Sequence, residues 1–163
     1  MIKIISGGQT GVDRGALQAA LDWQVSCGGW CPAGRKAEDG RIPVHFPVTE
    51  LTGAGYAQRT ERNVLDSEAT VLIYFGTISG GSRLTLHCCR QANRPSLEID
   101  ASKIATAEAA QRMLAFVGEH KVVCLNIAGP RESSAPGAAE QARQIVGEFL
   151  DQLAQSALLN QCE

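Results

Sequence analysis

The chain has 163 residues, 44% of them hydrophobic and 20% charged, which suffices for one well-buried core and is too short for two ordinary domains. Its formal net charge is −2 without any block of like charges, so the composition argues against a nucleic-acid partner. No apolar stretch approaches the roughly 20 residues that cross a membrane, and no signal-peptide pattern opens the chain. We therefore expect one cytoplasmic domain, residues 1–163, with no membrane partner.

The N-terminal segment has the pattern of a strand, a glycine turn and a helix. The apolar residues Ile2, Ile4 and Ile5 suit a strand covered on both faces, and the apolar period over residues 12–23 predicts a helix. Thr10 and Asp13 fit a capping box at its start. The first helical N–H groups have no partner within a helix, so this turn is either a plain connection or a site for a phosphate or similar oxyanion. Its candidate ligand residues are Gly7, Gly8, Gln9, Thr10, Gly11 and Asp13.

A long irregular segment follows a short second strand that we predict at residues 25–29. Residues 30–47 show no clear periodicity but contain three prolines and the cations Arg35, Lys36 and Arg41, which indicates an ordered cover. We interpret it as a lid-like insertion around residues 30–55. A short helix at residues 56–66 then exposes Arg59.

The same order of strand, turn and helix recurs in the rest of the chain. Residues 69–75 predict a central parallel strand, which runs through a glycine-rich turn at 76–82 into a helix at 83–92. A brief strand at 96–99 and an amphipathic helix at 106–119 follow. A strand at 121–128 then ends in a third turn, which contains Gly129 and Arg131 and precedes the final helix.

This alternation predicts an α/β protein with a Rossmann-like three-layer fold and a mainly parallel sheet of five or more strands. In such sheets ligands bind beyond the carboxyl ends of the strands. The predicted first, third and fifth strands each end in a glycine turn. We therefore expect the three turns to form one pocket.

Charged residues near these turns could grip an anionic ligand. The guanidinium groups of Arg35, Arg59 and Arg131 can bind an oxyanion bidentately, although each can equally be a solvated surface residue. Acidic side chains could accept hydrogen bonds from a heterocycle, or Asp13 could simply cap its helix. These candidate acceptors are Asp13, Glu38, Asp39 and Glu132.

Several familiar chemistries are disfavoured by missing motifs. The chain lacks the G-x-G-x-x-G of ordinary dinucleotide sites, the Gly-Lys-Ser/Thr of P-loop ATPases and the G-x-S-x-G of hydrolases. The pair Cys27 and Cys31 and the run His87-Cys88-Cys89 lack standard zinc spacing, so no metal site is expected. We expect the cysteines to be reduced, and burial in the core to explain Cys88, Cys89 and Cys124.

Four stretches resemble the molybdenum carrier (molybdenum cofactor carrier protein) family: residues 5–17 (ISGGQTGVDRGAL), 28–40 (GGWCPAGRKAEDG), 59–67 (RTERNVLDS) and 128–133 (AGPRES). The resemblance covers nearly the whole chain. It implies a Rossmann-like fold, relatedness to the DprA-like and cytokinin-activating phosphoribohydrolase group, homo-oligomers (dimers or tetramers) and binding of molybdenum cofactor (molybdopterin) or a related anionic ligand. It places at the ligand the residues Gly7, Gly8, Gln9, Thr10, Gly11, Arg35, Gly80, Gly81, Ser82, Gly129 and Arg131.

The chain departs from the phosphoribohydrolases in its second turn. Those enzymes carry Pro-Gly-Gly-x-Gly-Thr-x-x-Glu, whereas residues 79–85 read SGGSRLT, so the glutamate linked to hydrolysis is missing, although another carboxylate such as Glu132 could replace it. The leading hypothesis is a non-catalytic carrier that exchanges molybdenum cofactor with molybdoenzymes or cofactor-synthesis proteins. The alternatives are an enzyme that cleaves nucleotide N-glycosidic bonds and a nucleotide-sensing domain.

Overall fold

The computed structural model describes residues 1–159. Strands and short segments are β1 (Lys3–Ile5), β2 (Cys27–Gly28), β3 (Trp30–Pro32), a 3-10 turn (Ala33–Arg35), β4 (Lys36–Ala37), β5 (Gly40–Arg41), β6 (Thr49–Leu51), β7 (Ala69–Tyr74), β8 (Ser96–Asp100) and β9 (Cys124–Ala128). Helices are α1 (Val12–Asp22), α2 (Tyr56–Leu65), α3 (Gly80–Gln91), α4 (Thr106–His120) and α5 (Ala138–Leu159).

The main sheet has five strands in the order β2-β1-β9-β7-β8, and all its pairings are parallel. Helix α5 packs against both α1 and α4, and α2 pairs with α3, which also contacts β7. The largest apolar cluster joins the sheet to α1, α4 and α5, with Ile4, Val71, Leu125 and Phe149 fully buried. The predicted three-layer, Rossmann-like α/β fold is confirmed.

Two predicted strands are shorter than expected, because the helices before them end in left-handed turns that use the intervening residues. After α1, Gln24 adopts a φ of 54°, and the Val25 amide donates to the Ala20 carbonyl. After α4, Lys121 adopts a φ of 53°, and the Val122 amide donates to the Val117 carbonyl. The residues that the pattern assigned to strands therefore close helices instead.

The insertion at residues 30–55 is built around two small sheets of its own. The strands β3 and β6 pair in parallel, and β4 and β5 form an antiparallel pair. The insertion packs against α1 through a second apolar cluster, and the fully buried Cys31 lies within it. The members of this cluster are Leu17, Cys31, Ala37, Ile42, Phe46 and Val48.

Cysteine burial follows the core packing. Cys88 and Cys89 are buried beside Val64 between α2 and α3, as the sequence predicted. Cys124 was expected to be buried too but is only half-buried, because it begins β9 next to the exposed Val123. Cys162 lies outside the described residues. Within residues 1–159, no helix combines the length and apolar character that crossing a bilayer requires.

Candidate functional site

The three glycine turns meet in one pocket at the carboxyl ends of the central strands β1, β9 and β7. The pocket has a volume of about 350 Å³, at the lower end of the range for small-molecule sites. It lies where the chain order in the sheet reverses direction, the usual ligand position in open parallel sheets. The predicted residues that line it are Gln9, Asp13, Arg59, Gly80, Gly81, Ser82, Gly129 and Arg131.

In the first turn, the amide that opens α1 and the amide of Gln9 already have acceptors. The amide of Val12, which opens α1, donates to the Pro130 carbonyl at 3.2 Å, and the Gln9 amide donates to the Asp13 carboxylate at 3.3 Å. The expectation that Thr10 caps α1 is wrong, because the N-cap is Gly11 with no side-chain cap bond. Thr10 instead donates its hydroxyl to Glu38 and accepts from the Glu132 amide.

The second turn is different, because it leaves the amino end of α3 open. Ser79 is the N-cap without a side-chain cap bond, and the Ser82 amide donates to the Ser79 carbonyl at 3.1 Å. Within residues 1–159, the amides of Gly80 and Gly81 have no hydrogen-bond acceptor. A side chain added at either glycine would meet no protein atom within 4 Å. Two unpaired amides therefore lie on the pocket lining at the positive end of a helix.

The floor of the pocket is a nearly buried ion pair between Arg59 and Asp13. Arg59 Nη1 lies 3.1 Å from Asp13 Oδ2, and the two side chains are 14% and 4% exposed. Burial raises the pKa of Asp13, while the Arg59 charge and the bond from the Gln9 amide partly oppose that rise. The Nε of Arg59 and the Nε2 of Gln9 are buried and have no acceptor among the described residues. The floor thus contains two buried donors that the described residues leave unsatisfied.

The third turn is packed closely against the end of β7 and against the first turn. A β-carbon at Gly129 would lie 2.2 Å from the Ile73 carbonyl oxygen, and one at Gly11 would lie 2.3 Å from that of Pro130. Only glycine permits these approaches, and Gly11 also has a φ of 80°. The turn brings Arg131 to the pocket, where its guanidinium carbon lies 4.9 Å from the ring centre of Tyr56. This distance is typical of a cation–π contact.

Two predicted ligand residues serve structural roles outside the pocket. The guanidinium of Arg35 donates to four carbonyl oxygens within the insertion, those of Ile42, Pro43, Phe46 and Val48. The carboxylate of Glu132 accepts from the amides of Gly137 and Ala139, which lie at the start of α5. Both side chains are thus hydrogen-bonded to backbone groups. Arg35 holds the insertion together, and Glu132 caps α5.

The other predicted residues of the first turn support the site from behind. A β-carbon at Gly8, which has a φ of 75°, would lie 3.0 Å from Ile42 of the insertion. Gly7, Thr10 and Gly11 likewise lie against neighbouring protein groups rather than on the pocket lining. Their glycines let the backbone segments approach one another.

The insertion lies behind the first turn, and none of its described residues lines the pocket. The Glu38 carboxylate accepts from the hydroxyl groups of Thr10 and Ser133 and from the Ser133 amide, while the Glu38 amide donates to Gln9 Oε1. Hydrogen bonds from the Ser133 and Thr10 hydroxyl groups lower the pKa of Glu38. A bidentate ion pair between Arg14 and Asp39, with N–O distances of 2.5 and 2.8 Å, also connects the insertion to α1. The insertion therefore buttresses the first and third turns.

Several pocket residues carry no signal that the sequence analysis used. Ser79 could have been found as an N-cap residue type before the two glycines, and Ser133 and Ser134 lie two and three residues after Arg131. Tyr56 and Thr60 lie on α2, which the chain places opposite these turns only through its tertiary packing. No local pattern marks those two residues.

Residues 4–150 match the family described as the circularly permutated YpsA SLOG family. The chain is also similar to a crystal structure, at 1.45 Å resolution, of the "Putative molybdenum carrier protein" from Syntrophus aciditrophicus SB. The two share 41% identity and a TM-score of 0.89, over 92% of this chain and 95% of that chain. No curated protein sequence matches the chain.

These findings confirm the resemblance to molybdenum carrier proteins that the four sequence stretches indicated, and the SLOG family is itself related to the DprA and phosphoribohydrolase group. The family match extends from β1 to the end of the buried part of α5 and so includes all three turns. The protein belongs to the circularly permuted YpsA SLOG family.

Proposed function

We propose that this protein is a carrier that holds molybdenum cofactor, or a closely related phosphate-bearing ligand, in the pocket where the three turns meet. The observation that carries the proposal is the open amino end of α3, where the amides of Gly80 and Gly81 have no acceptor among the described residues. Arg131 lines the same pocket. Unpaired amides, a helix dipole and a guanidinium fork are the groups that bind phosphate in proteins.

The pocket chemistry fits both ends of such a ligand. The cofactor's phosphate suits the amino end of α3 together with the hydroxyl groups of Ser79 and Ser82, which line the pocket there. Its pterin ring carries amide-like acceptors, which suit the unsatisfied donors of Gln9 and Arg59 on the floor. The molybdenum carrier name of the Syntrophus protein supports the same cargo.

The proposed mechanism is capture and release without bond cleavage. The pocket is open to solvent on the side of Gly80, Gly81 and Arg131, all of which are exposed. The anionic end of the cargo would bind at this exposed side, and the ring would lie toward the buried ion pair. Release would then require only the exchange of exposed hydrogen bonds for those of water or a receiving protein.

The proposal is tested by titrating purified protein with molybdenum cofactor under anaerobic conditions and following the cofactor's fluorescence or absorbance. We expect saturable binding that Arg131→Ala weakens. The matched control is Arg112→Ala on α4, which removes the same charge from an exposed pair with Glu108 outside the pocket. Absence of saturable binding to the wild-type protein would overturn the carrier function.

A second candidate function, cleavage of a nucleotide N-glycosidic bond, is favoured by Asp13. Among residues 1–159, Asp13 is the acidic residue that lines the pocket, and burial raises its pKa, as is common for carboxyl groups that exchange protons. Incubation of nucleoside monophosphates with wild-type protein and with Asp13→Asn should then release free base only from the wild type. Chromatography that detects no free base would eliminate this function while leaving the carrier proposal intact.

The carrier proposal includes an assembly and a recipient. We propose a homo-oligomer, a dimer or tetramer, that exchanges its cargo with a molybdoenzyme or a cofactor-synthesis protein. Native mass spectrometry of protein purified from its own cells tests this directly, because the retained mass gives both the number of chains and the bound ligand.

A further inference from the structure

The charges that line the pocket do not simply add up to a strongly positive site. Among the described residues, the charged side chains on the lining are Arg59, Arg131 and Asp13. Asp13 lies against Arg59 at 3.1 Å, and both side chains are mostly buried. A paired buried arginine offers less net attraction to a further anion, because its counter-charge lies only 3.1 Å away.

The uncompensated positive charge is therefore small. It consists of the exposed Arg131 and the open amino end of α3, where the helix dipole contributes roughly half an elementary charge. Glu38 adds negative charge near the rim, since its carboxylate is bonded to Ser133 of the pocket lining. This balance suits an anion of about one to two negative charges.

We propose that Asp13, by neutralising Arg59, restricts the pocket to guests with a single phosphate or an oxyanion of similar charge and disfavours di- and triphosphates. This inference rests on the proposed function and concerns the same site. Each extra phosphate group would add at least one negative charge to a pocket whose second arginine is already paired.

A pair of variants isolates the role of the carboxylate. Asp13→Asn keeps the size of the side chain and an oxygen that can accept from the Gln9 amide, but it releases the charge of Arg59. The double variant Asp13→Asn/Arg59→Gln removes both charges, so it restores the net charge of the wild-type pocket. The control Asp22→Asn removes one acidic charge from a surface pair with Arg143, away from the pocket lining.

The experiment compares AMP with ADP by isothermal titration calorimetry at constant ionic strength, with inorganic phosphate as a third probe. We expect the wild type and Asp22→Asn to bind AMP more tightly than ADP. Asp13→Asn should raise the ratio of ADP affinity to AMP affinity on the order of tenfold, and the double variant should return it toward the wild-type value.

The outcomes separate this inference from the function on which it rests. If the wild type binds ADP as tightly as AMP, or if a folded Asp13→Asn leaves the ratio unchanged, the selectivity role of Asp13 is overturned while anion binding stands. If Asp13→Asn fails to fold, equal affinity of the wild type for AMP and ADP still overturns the inference. If the wild type binds none of molybdenum cofactor, AMP and phosphate, the proposed function itself is wrong.

Discussion

Arg59 lies directly over the backbone of Gly7, where a β-carbon would come within 1.5 Å of Nη1. The same nitrogen contacts the Asp13 carboxylate, and the β-carbon would also come within 2.9 Å of that carboxylate. The absence of a side chain at Gly7 therefore makes room for the ion pair on the pocket floor. This relationship gives Gly7 a role that its glycine-turn pattern alone does not reveal, because Gly7 does not itself line the pocket.

We predict that Gly7→Ala displaces Arg59 and leaves the buried Asp13 without its counter-charge. The expected cost is about 1–3 kcal/mol of unfolding free energy, since a buried polar group loses its partner. Urea unfolding followed by circular dichroism measures this loss. Gly118→Ala on α4 is the control, because its new β-carbon would meet no atom within 4 Å. Equal stability of wild type and Gly7→Ala would contradict the packing described here.

Gly81→Ala should separate binding from stability. Its β-carbon meets no protein atom within 4 Å, so the unfolding free energy should stay within about 1 kcal/mol of wild type. The added methyl group lies beside the unpaired amides at the amino end of α3, where it should hinder an approaching anion and weaken its binding roughly tenfold. Calorimetric titration with AMP together with thermal unfolding tests both parts. Unchanged affinity would place the anion elsewhere in the pocket.

Glu132→Ala should lower stability without weakening anion binding, the reverse of what we expect for Gly81→Ala. Removing the carboxylate leaves the amides of Gly137 and Ala139 without their acceptor, which should cost about 1–2 kcal/mol of unfolding free energy. Anion affinity should stay near the wild-type value, because the carboxylate caps α5 and does not line the pocket. A strong loss of affinity in a stable variant would restore Glu132 to the site that the sequence predicted for it.

Acid should loosen the contact between the insertion and the turns. Hydrogen bonds from Ser133 and Thr10 lower the pKa of Glu38 below its ordinary value of 4.5. Its stabilising contribution is thus fully present above pH 4.5 and is lost as the pH falls through the lower pKa of the folded state. Wild type should therefore lose more stability than Glu38→Gln between pH 6 and pH 3, roughly the range over which the carboxylate takes up a proton.

Comparing the wild type with Glu38→Gln cancels the contributions of other titrating groups to the pH dependence of stability. Asp13 has a raised pKa, so its protonation acts in the opposite direction, but it is present in both and cancels in the difference. Thermal unfolding at several pH values in one buffer series supplies the measurement. Parallel curves for the wild type and Glu38→Gln would show that the Glu38 bonds contribute nothing.

Short-range pattern in the sequence determined the α/β fold and the presence of glycine turns after the first, third and fifth strands of the main sheet. It succeeded there because apolar periodicity and glycine content depend on neighbouring residues, and because parallel strands carry their carboxyl ends to one edge. Four of the residues it placed in the first turn nevertheless support the site from outside, and two strands were predicted too long because helix ends consumed their first residues.

Only the tertiary structure decided which helix end is open. The first amide of α1 is occupied by the carbonyl of Pro130, and the first amides of α5 are occupied by Glu132, whereas those of Gly80 and Gly81 in α3 remain without an acceptor among the described residues. The three turns look alike in sequence, but Pro130 is distant from α1 along the chain. A backbone amide becomes available to a ligand according to what the fold places in front of it, and for α1 that group comes from the far end of the sequence.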